Sequence, residues 1–249
     1  MSLYNQITRC ARGFYAACAS IFYPRVCPVC GRYIGAPKEL LDKEHERLFC
    51  TDCIRKLPRT EHAVLRANSV EEAFVKIPHF EKGAAFLYYE KNHPIRLVMH
   101  KMKYADQPMI AYCLAQEAAR EFICTDFFDE IDVIIPVPLH KKRLRSRGYN
   151  QAEYIARALG NITGITVDTT HVKRVRNTPK QALQDKEGRK TNVADAFEVN
   201  HPEQMYHKHI LVVDDLITTG ETIKACIKAM RRFRGARFSV FALCKPRQK

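Results

Sequence analysis

The stretch from His209 to Lys224, His-Ile-Leu-Val-Val-Asp-Asp-Leu-Ile-Thr-Thr-Gly-Glu-Thr-Ile-Lys, leaves this chain few folds to choose from. Ile210 to Val213 form a short apolar, β-branched run of the kind buried in a parallel sheet. Asp214 and Asp215 follow, then the Thr218–Thr222 loop, then Ile223, Ile227 and Met230 at helical spacing. The pattern predicts strand, tight loop, helix. In open α/β sheets ligands bind at the carboxyl ends of the strands. A loop of Gly and hydroxyl residues that opens a helix presents backbone N–H groups, Thr hydroxyls and a positive dipole end to a phosphate. Like charge bars Asp214 and Asp215 from the phosphate itself, so their expected work is to hold sugar hydroxyls, or a Mg²⁺ already bound to the ligand. Carboxylates for a diol beside a loop for a phosphate fit a ribose 5-phosphate.

An apolar strand, an acidic pair, two apolar residues and Thr-Thr-Gly-x-Thr together resemble the signature with which type I phosphoribosyltransferases bind phosphoribosyl pyrophosphate (PRPP), and every position is filled. The plainer alternative, a generic α/β turn with an Asx cap, accounts for only part of the block.

A second strand-and-loop unit is expected at Asp132-Val-Ile-Ile-Pro-Val-Pro138, where Pro136 and Pro138 stop sheet pairing and fix the backbone at a strand's carboxyl end. By the same resemblance, Pro136, Val137 and Pro138 stand where these transferases keep their pyrophosphate loop. His140, Lys141, Lys142, Arg143, Arg145 and Arg147 come next, a basic run read here as anion-facing rather than merely solvated. Gly148-Tyr-Asn-Gln151 and a helix with Tyr154, Ile155 and Leu159 follow. Earlier in the chain, a β-like region is expected at Phe74–Ile77 and another at Gly83–Tyr89. Helices are expected after Pro94, ending in Lys101-Met-Lys103-Tyr104, and from about Pro108 to Cys124.

The chain is long enough, at 249 residues, for one good-sized core and a small satellite. Its formal net charge of +14 points to a polyanionic partner, nucleic acid or a polyphosphate ligand, with a simple solvated surface as the bland alternative. No stretch approaches the ~20 uninterrupted apolar residues of a membrane span. Leu3, Ile7, Cys10, Phe14, Cys18 and Ile21 step by three and four, an amphipathic helix rather than a signal peptide. Its apolar face is expected to pack on the chain's own body, or else to dock another protein. The protein is read as cytoplasmic.

Of ten cysteines, Cys27, Cys30, Cys50 and Cys53 stand apart as two C-x₂-C pairs with the separation of a zinc ribbon. Each pair is a knuckle that turns two sulfurs inward, and two knuckles make a tetrahedral S₄ site for Zn²⁺. The segment between them is too polar to build a core, so a metal is the expected source of order. Disulfides suit a secreted chain. Rubredoxin-like iron is the other rival, since Cys-Pro-x-Cys-Gly occurs there too, but no redox partner site is visible. Cys10, Cys18, Cys113, Cys124, Cys226 and Cys244 read as small buried hydrophobes.

From Val172 to Asn192 the chain is polar, basic and without strong periodicity: a surface connection, a disordered stretch, or a mobile cover over the site contributed by Arg174, Arg176, Gln181 and Arg189. Arg231, Arg232, Arg234 and Arg237 cluster at the end of the last helix, read partly as dipole complement and for the rest as a surface for nucleic acid.

Taken in order, the leader, the Cys-Pro-x-Cys-Gly and Cys-x-x-Cys pairs, Lys103-Tyr104, the block from Ile135 to Gln151, the Arg176…Gln181…Arg189…Asn192 block and Val212–Thr222 resemble the ComF family. The resemblance implies an α/β, type I phosphoribosyltransferase-like fold, a Rossmann-like parallel sheet flanked by helices, behind a small N-terminal zinc ribbon. The implied organisation is a leader helix at 1–24, the ribbon at 25–58 and the phosphoribosyltransferase-like domain at 70–249. It also implies PRPP with Mg²⁺ as ligand, held by Pro136, Val137, Pro138, Asp214, Asp215, Thr218, Thr219, Gly220, Glu221 and Thr222. Asp214 and Asp215 would be the catalytic groups if chemistry occurs. The implied role is in natural competence, handling incoming single-stranded DNA, with Lys141, Lys142, Arg143, Arg145 and Arg147 as DNA-binding candidates. Alternatives are an active transferase on an unknown acceptor, or a ribbon-bearing adaptor for a DNA-uptake or helicase protein. No nucleobase-specifying pocket and no glutaminase partner domain is recognisable.

Overall fold

The computed structural model describes residues 26–34, 48–65, 67–90, 92–176 and 196–247. The leader at 1–24 and the cover candidates Gln181 and Arg189 lie outside the described residues. The chain divides into two compact units, 1–57 and 58–249.

In the first unit, Cys27 to Gly31 form a tight turn, closed by Gly31 N–H to Cys27 C=O at 2.9 Å with Gly31 at φ 72°, a conformation that favours glycine. Val26 and Tyr33 bridge antiparallel across it. Cys50 precedes the one-turn helix α1 (Thr51–Arg55), whose first-turn Asp52 holds Arg32 at 2.6 Å and Arg55 at 3.2 Å.

The second unit is built on strands β1 (Phe80–Tyr89), β2 (Val133–Pro136), β3 (Thr166–Val167), β4 (Val172–Arg174), β5 (Phe197–Val199), β6 (His209–Leu216) and β7 (Arg237–Pro246). Five of them form one parallel sheet in the order β1-β7-β6-β2-β3, and β4 and β5 form an antiparallel pair. The helices are α2 (Ser69–Phe74), α3 (Ile95–Tyr104), α4 (Met109–Phe122), α5 (Lys141–Arg147), α6 (Gln151–Thr163) and α7 (Glu221–Met230). β6 is central, and Ile210, Leu211, Val212 and Val213 are all fully buried, as a strand covered on both faces requires. Helices α4 and α6 pack together on one face. On the other face Ile210, Val212, Val240 and Ala242 share a core with Val70 and Phe74 of α2, Phe197 of β5, and Ile223, Ile227 and Met230 of α7. At the edge of the sheet the segment Pro58–Thr60 runs antiparallel to β1. Tyr88 N–H donates to Pro58 C=O at 2.7 Å, and Thr60 N–H to Phe86 C=O at 3.0 Å.

Several expectations are corrected. Phe74 belongs to a helix, not a strand. Asn68 caps α2 by accepting from the Val70 and Glu71 N–H groups, and Val70 and Phe74, four apart, share its buried side. The basic run at 141–147 is itself a helix, capped by His140 and stopped by Gly148 at φ 82°. The aperiodic stretch after Val172 begins as β4. Cys113, Cys226 and Cys244 are buried, but Cys124 is exposed because α4 has already ended at Phe122.

Candidate functional site

The β6 ladder runs on past the apolar run, pairing Asp214 with Ala242 and Leu216 with Cys244. Both carboxylates therefore sit in extended chain, where successive side chains leave on opposite faces. Asp214 shares the side of Ile210 and Val212 and is set against Cys226 of α7 and Arg174 of β4. Asp215 goes to the other side, where Lys103 of α3 holds its Oδ2 at 3.0 Å and Cys244 lies behind it.

The surroundings of the two differ accordingly. Burial and the neighbouring Asp215 charge raise the Asp214 carboxyl to about 7, against the lowering pull of the Asp215 N–H, Lys103 and Arg174. That N–H donates to Asp214 Oδ1 at 2.8 Å. Asp214 keeps a partly exposed edge although protein atoms crowd it closely. Burial works against the Lys103 charge, but Asp215 and, behind it, Asp214 outweigh it and hold the ammonium above the ordinary lysine range. Burial, reinforced by the nearby carboxylates, pushes the Cys226 and Cys244 thiols up, so both stay neutral.

Beyond the acids the chain turns sharply. Ile217 is buried and its N–H donates to Cys244 C=O at 3.0 Å, while Thr218 and Thr219 are exposed. Gly220 caps α7 at φ 77°, and a Cβ there would stand 2.6 Å from Phe74 Cζ, so only glycine fits both the conformation and the space. Among the described residues, no protein hydrogen bond occupies the N–H groups of Thr218, Thr219 or Gly220. The loop is stiffened by Lys224, whose Nζ donates to Thr219 C=O at 3.1 Å and to Glu221 Oε1 at 3.0 Å. Glu221 and Thr222 open α7.

The end of β2 lies alongside. Val137 N–H donates to Val213 C=O at 2.8 Å, and Val137 C=O accepts from Asn150 Nδ2 at 3.1 Å. Buried with its backbone engaged, Val137 shapes the loop between Pro136 and Pro138 rather than donating to an anion. The Gly148–Gln151 block is a clamp. Asn150 caps α6, while Tyr149 Oη at 2.7 Å and Gln151 Nε2 at 3.3 Å both donate to Met102 C=O, the residue before Lys103.

Lys103 also borders a cavity of about 690 Å³, with Tyr104, Asp106, Lys142, Arg143 and Arg147 among its walls. Arg147 lies 5.5 Å above the Tyr104 ring and donates to Gln151 Oε1 at 2.6 Å. Lys141 and Arg145 sit on α5 but outside these walls. Arg174 is 5.3 Å over the Phe197 ring, and Arg176 is exposed just past β4. Arg237 is turned to the amino end of the sheet, on Glu130 at 2.9 Å. The ion pair of Lys103 with Asp215 is the feature that sequence reasoning missed. Lys103-Tyr104 stood out as a block, but nothing local says that it meets a carboxylate far along the chain.

In the first unit the sulfurs of Cys27, Cys30, Cys50 and Cys53 lie within 4.8 Å of one another, and Cys30 and Cys50 are 3.7 Å apart. A tetrahedral Zn–S₄ centre needs sulfurs about 3.8 Å apart. None of the four is in a disulfide. Burial pushes the Cys27 thiol up, but hydrogen bonds from the Cys50, Cys30 and Val29 backbone outweigh it and bring it to about 7. The donor set fits a tetrahedral metal.

A parallel sheet with an acidic pair and a Gly/Thr loop at the carboxyl end of its central strand defines a phosphoribosyltransferase domain. The family described as Phosphoribosyl transferase domain matches residues 111–249. DNA utilization protein YhgH of Salmonella typhi is 28% identical over 238 residues, 94% of this chain and 90% of the relative. Competence protein F of Haemophilus influenzae is 30% identical over 172 residues, 68% of this chain and 74% of the relative. Competence protein ComFC of Bacillus subtilis is 24% identical over 225 residues, 88% of this chain and 78% of the relative. The chain belongs to the ComF family of phosphoribosyltransferase-domain proteins. No helix among the described residues is long and apolar enough to cross a membrane.

Proposed function

We propose that the second unit binds PRPP and that the protein acts in the cytoplasm on single-stranded DNA taken up by the cell. The observation that carries the first part is the sequence of groups at the end of β6. Two aspartates on one strand lead into exposed Thr218 and Thr219 and a buried Gly220 that caps α7. The loop's N–H groups and hydroxyls, with Glu221 and Thr222 continuing it, would take the 5-phosphate, each charge-assisted hydrogen bond contributing about 1.5–3 kcal/mol. Asp214 and Asp215 would face the ribose hydroxyls, and the Pro136–Pro138 turn would shape the pyrophosphate side. Mg²⁺, arriving on the ligand, supplies charge neutralisation there. Two carboxylates, one already paired to Lys103, suit a metal carried by phosphates better than an all-protein cage. If pyrophosphate departs, the carboxylates would stabilise the positive charge that develops at C1, and Arg174 on β4, with Arg176 just past it, would belong to the cover.

Support for the DNA reading comes from the net charge of +14, the basic α5 and the competence and DNA-utilization names of the relatives. The four-cysteine cluster is assigned to structural Zn²⁺, with the first unit as the surface for a DNA-uptake or helicase partner.

Calorimetric titration with PRPP and Mg²⁺, repeated with an oligonucleotide present, tests both parts. Saturable PRPP binding that Asp214→Ala weakens is expected, and absence of binding overturns the first part. Oligonucleotide affinity is expected to fall with salt, by about 10³–10⁵ between 50 and 200 mM for some 6–10 phosphate contacts. Affinity unchanged by Arg143→Ala would remove α5 from the DNA surface.

A further inference from the structure

Lys103 lies on α3, ahead of the 111–249 stretch that matches the phosphoribosyltransferase family. Its ammonium nevertheless sits at the heart of the site, 3.0 Å from Asp215 Oδ2, with the two side chains only 21% and 13% exposed. We propose that Lys103 is the resident counter-ion of the sugar-binding acidic pair, a positioning residue that fits the site to a sugar phosphate carrying one divalent cation and refuses a second. The inference rests on the PRPP reading for its ligand, but not for its first test.

Three observations carry it. First, the lysine is held in place. Tyr149 and Gln151 both donate to the carbonyl of Met102, and Met102 is itself fully buried, so the backbone that launches Lys103 is fixed from two sides. Second, strand alternation places the two carboxylates against different elements. A cation that is to use Asp215 must come in where the ammonium already stands. Third, the pair is short of ligands. Among the described residues, the only group of three or more metal-binding side chains is the cysteine cluster in the first unit. Two carboxylates alone form a weak site, and a fixed positive charge at 3.0 Å weakens it further.

An ion pair placed for stability alone is a poor rival. A mostly buried pair loses much of its Coulomb gain to desolvation, and apolar residues of similar size commonly serve as well. Lys103 is moreover not sealed in a core, because it borders the 690 Å³ cavity walled by Tyr104 and the basic residues of α5. Its charge is therefore presented to whatever anion enters, while it also covers Asp215.

The test is titration of the full chain with Mn²⁺ alone, followed by electron paramagnetic resonance of the free ion. Mn²⁺ prefers oxygen ligands, so the thiol cluster does not mask the result. The wild type is expected to take up no Mn²⁺ tightly. Lys103→Met, which keeps the apolar stem, and Lys103→Gln, which keeps a hydrogen bond to Asp215, are both expected to bind Mn²⁺ about ten- to a hundredfold more tightly than wild type. Lys103→Arg should behave as wild type, and adding Asp215→Asn to the neutral variants should abolish the gain. A folded neutral variant with no gain overturns the proposal, as does a wild type that binds Mn²⁺ equally well. Mg²⁺ titrations at saturating PRPP then read the number of ions per bound ligand, expected to rise from one in the wild type to two in Lys103→Met. A wild type that ignores PRPP would remove the PRPP reading and leave the Mn²⁺ result standing.

Discussion

Asp214 and Asp215 are chemically identical neighbours, yet one strand position separates two electrostatic worlds. Asp215 faces α3 and has a lysine in contact. Asp214 faces α7 and β4, where burial and the Asp215 charge outweigh the pull of Arg174, and its carboxyl rises to about 7. The lesson is that an acidic pair in a motif is not a unit. Period-two alternation gives each member its own neighbours, and those neighbours set its charge.

The sharpest way to break the comparison is to remove each acid in turn. Asp215→Ala strands Lys103 in a mostly buried site and is expected to cost about 2–4 kcal/mol, read by urea denaturation. A loss below ~1 kcal/mol would mean that the lysine finds water easily and that the two sides are alike. Gly220→Ala damages the loop that follows both acids, through the left-handed backbone and the Phe74 ring, at about 2 kcal/mol in the same assay. Pairing it with Phe74→Leu should return part of the loss.

Asp214→Asn should act in the opposite sense to Asp215→Ala. A carboxyl with a raised pKa in the folded state binds its proton more tightly there than in the unfolded chain. This group's contribution therefore worsens as pH climbs from about 4 to about 7. The asparagine variant should flatten that decline and be the more stable protein at pH 8, by on the order of 1 kcal/mol once solvent screening is allowed for. Melting curves at pH 5 and pH 8 decide it, and a steeper decline in the variant would reverse the assignment. The smallest effect is expected for Tyr149→Phe, which removes one hydrogen bond to Met102 C=O at about 1 kcal/mol. It should loosen the Lys103 side and leave the pH response of Asp214 unchanged.

Much of the fold could be read from local pattern. The apolar run before Asp214, the Gly/Thr turn and the Ile223–Ile227–Met230 spacing describe β6, its loop and α7. The proline-bounded β2, the helix after Pro94 and the long α4 announce themselves in the same way. Short elements did not. α2 is a six-residue helix whose only local signals are the Asn68 cap and the Val70–Phe74 spacing, and α5 looks like a charge run because none of its residues is buried. The ion pair at Asp215 was out of reach for another reason: contacts distant in sequence leave no periodic trace. One clue was available, since extending the β6 strand through the acids would have sent their side chains to opposite faces.

The chain that runs antiparallel along β1 has a bearing on assembly. Pro58–Thr60 takes the Phe86 and Tyr88 groups on one flank of the sheet, Asn68 and His62 side chains take Gly83 C=O and Ala85 N–H, and the other flank is the two-residue β3. A sheet closed in this way gives an incoming peptide little backbone to zip onto. Companions of this unit must then recognise side chains, so that single surface substitutions can silence one association and spare the rest.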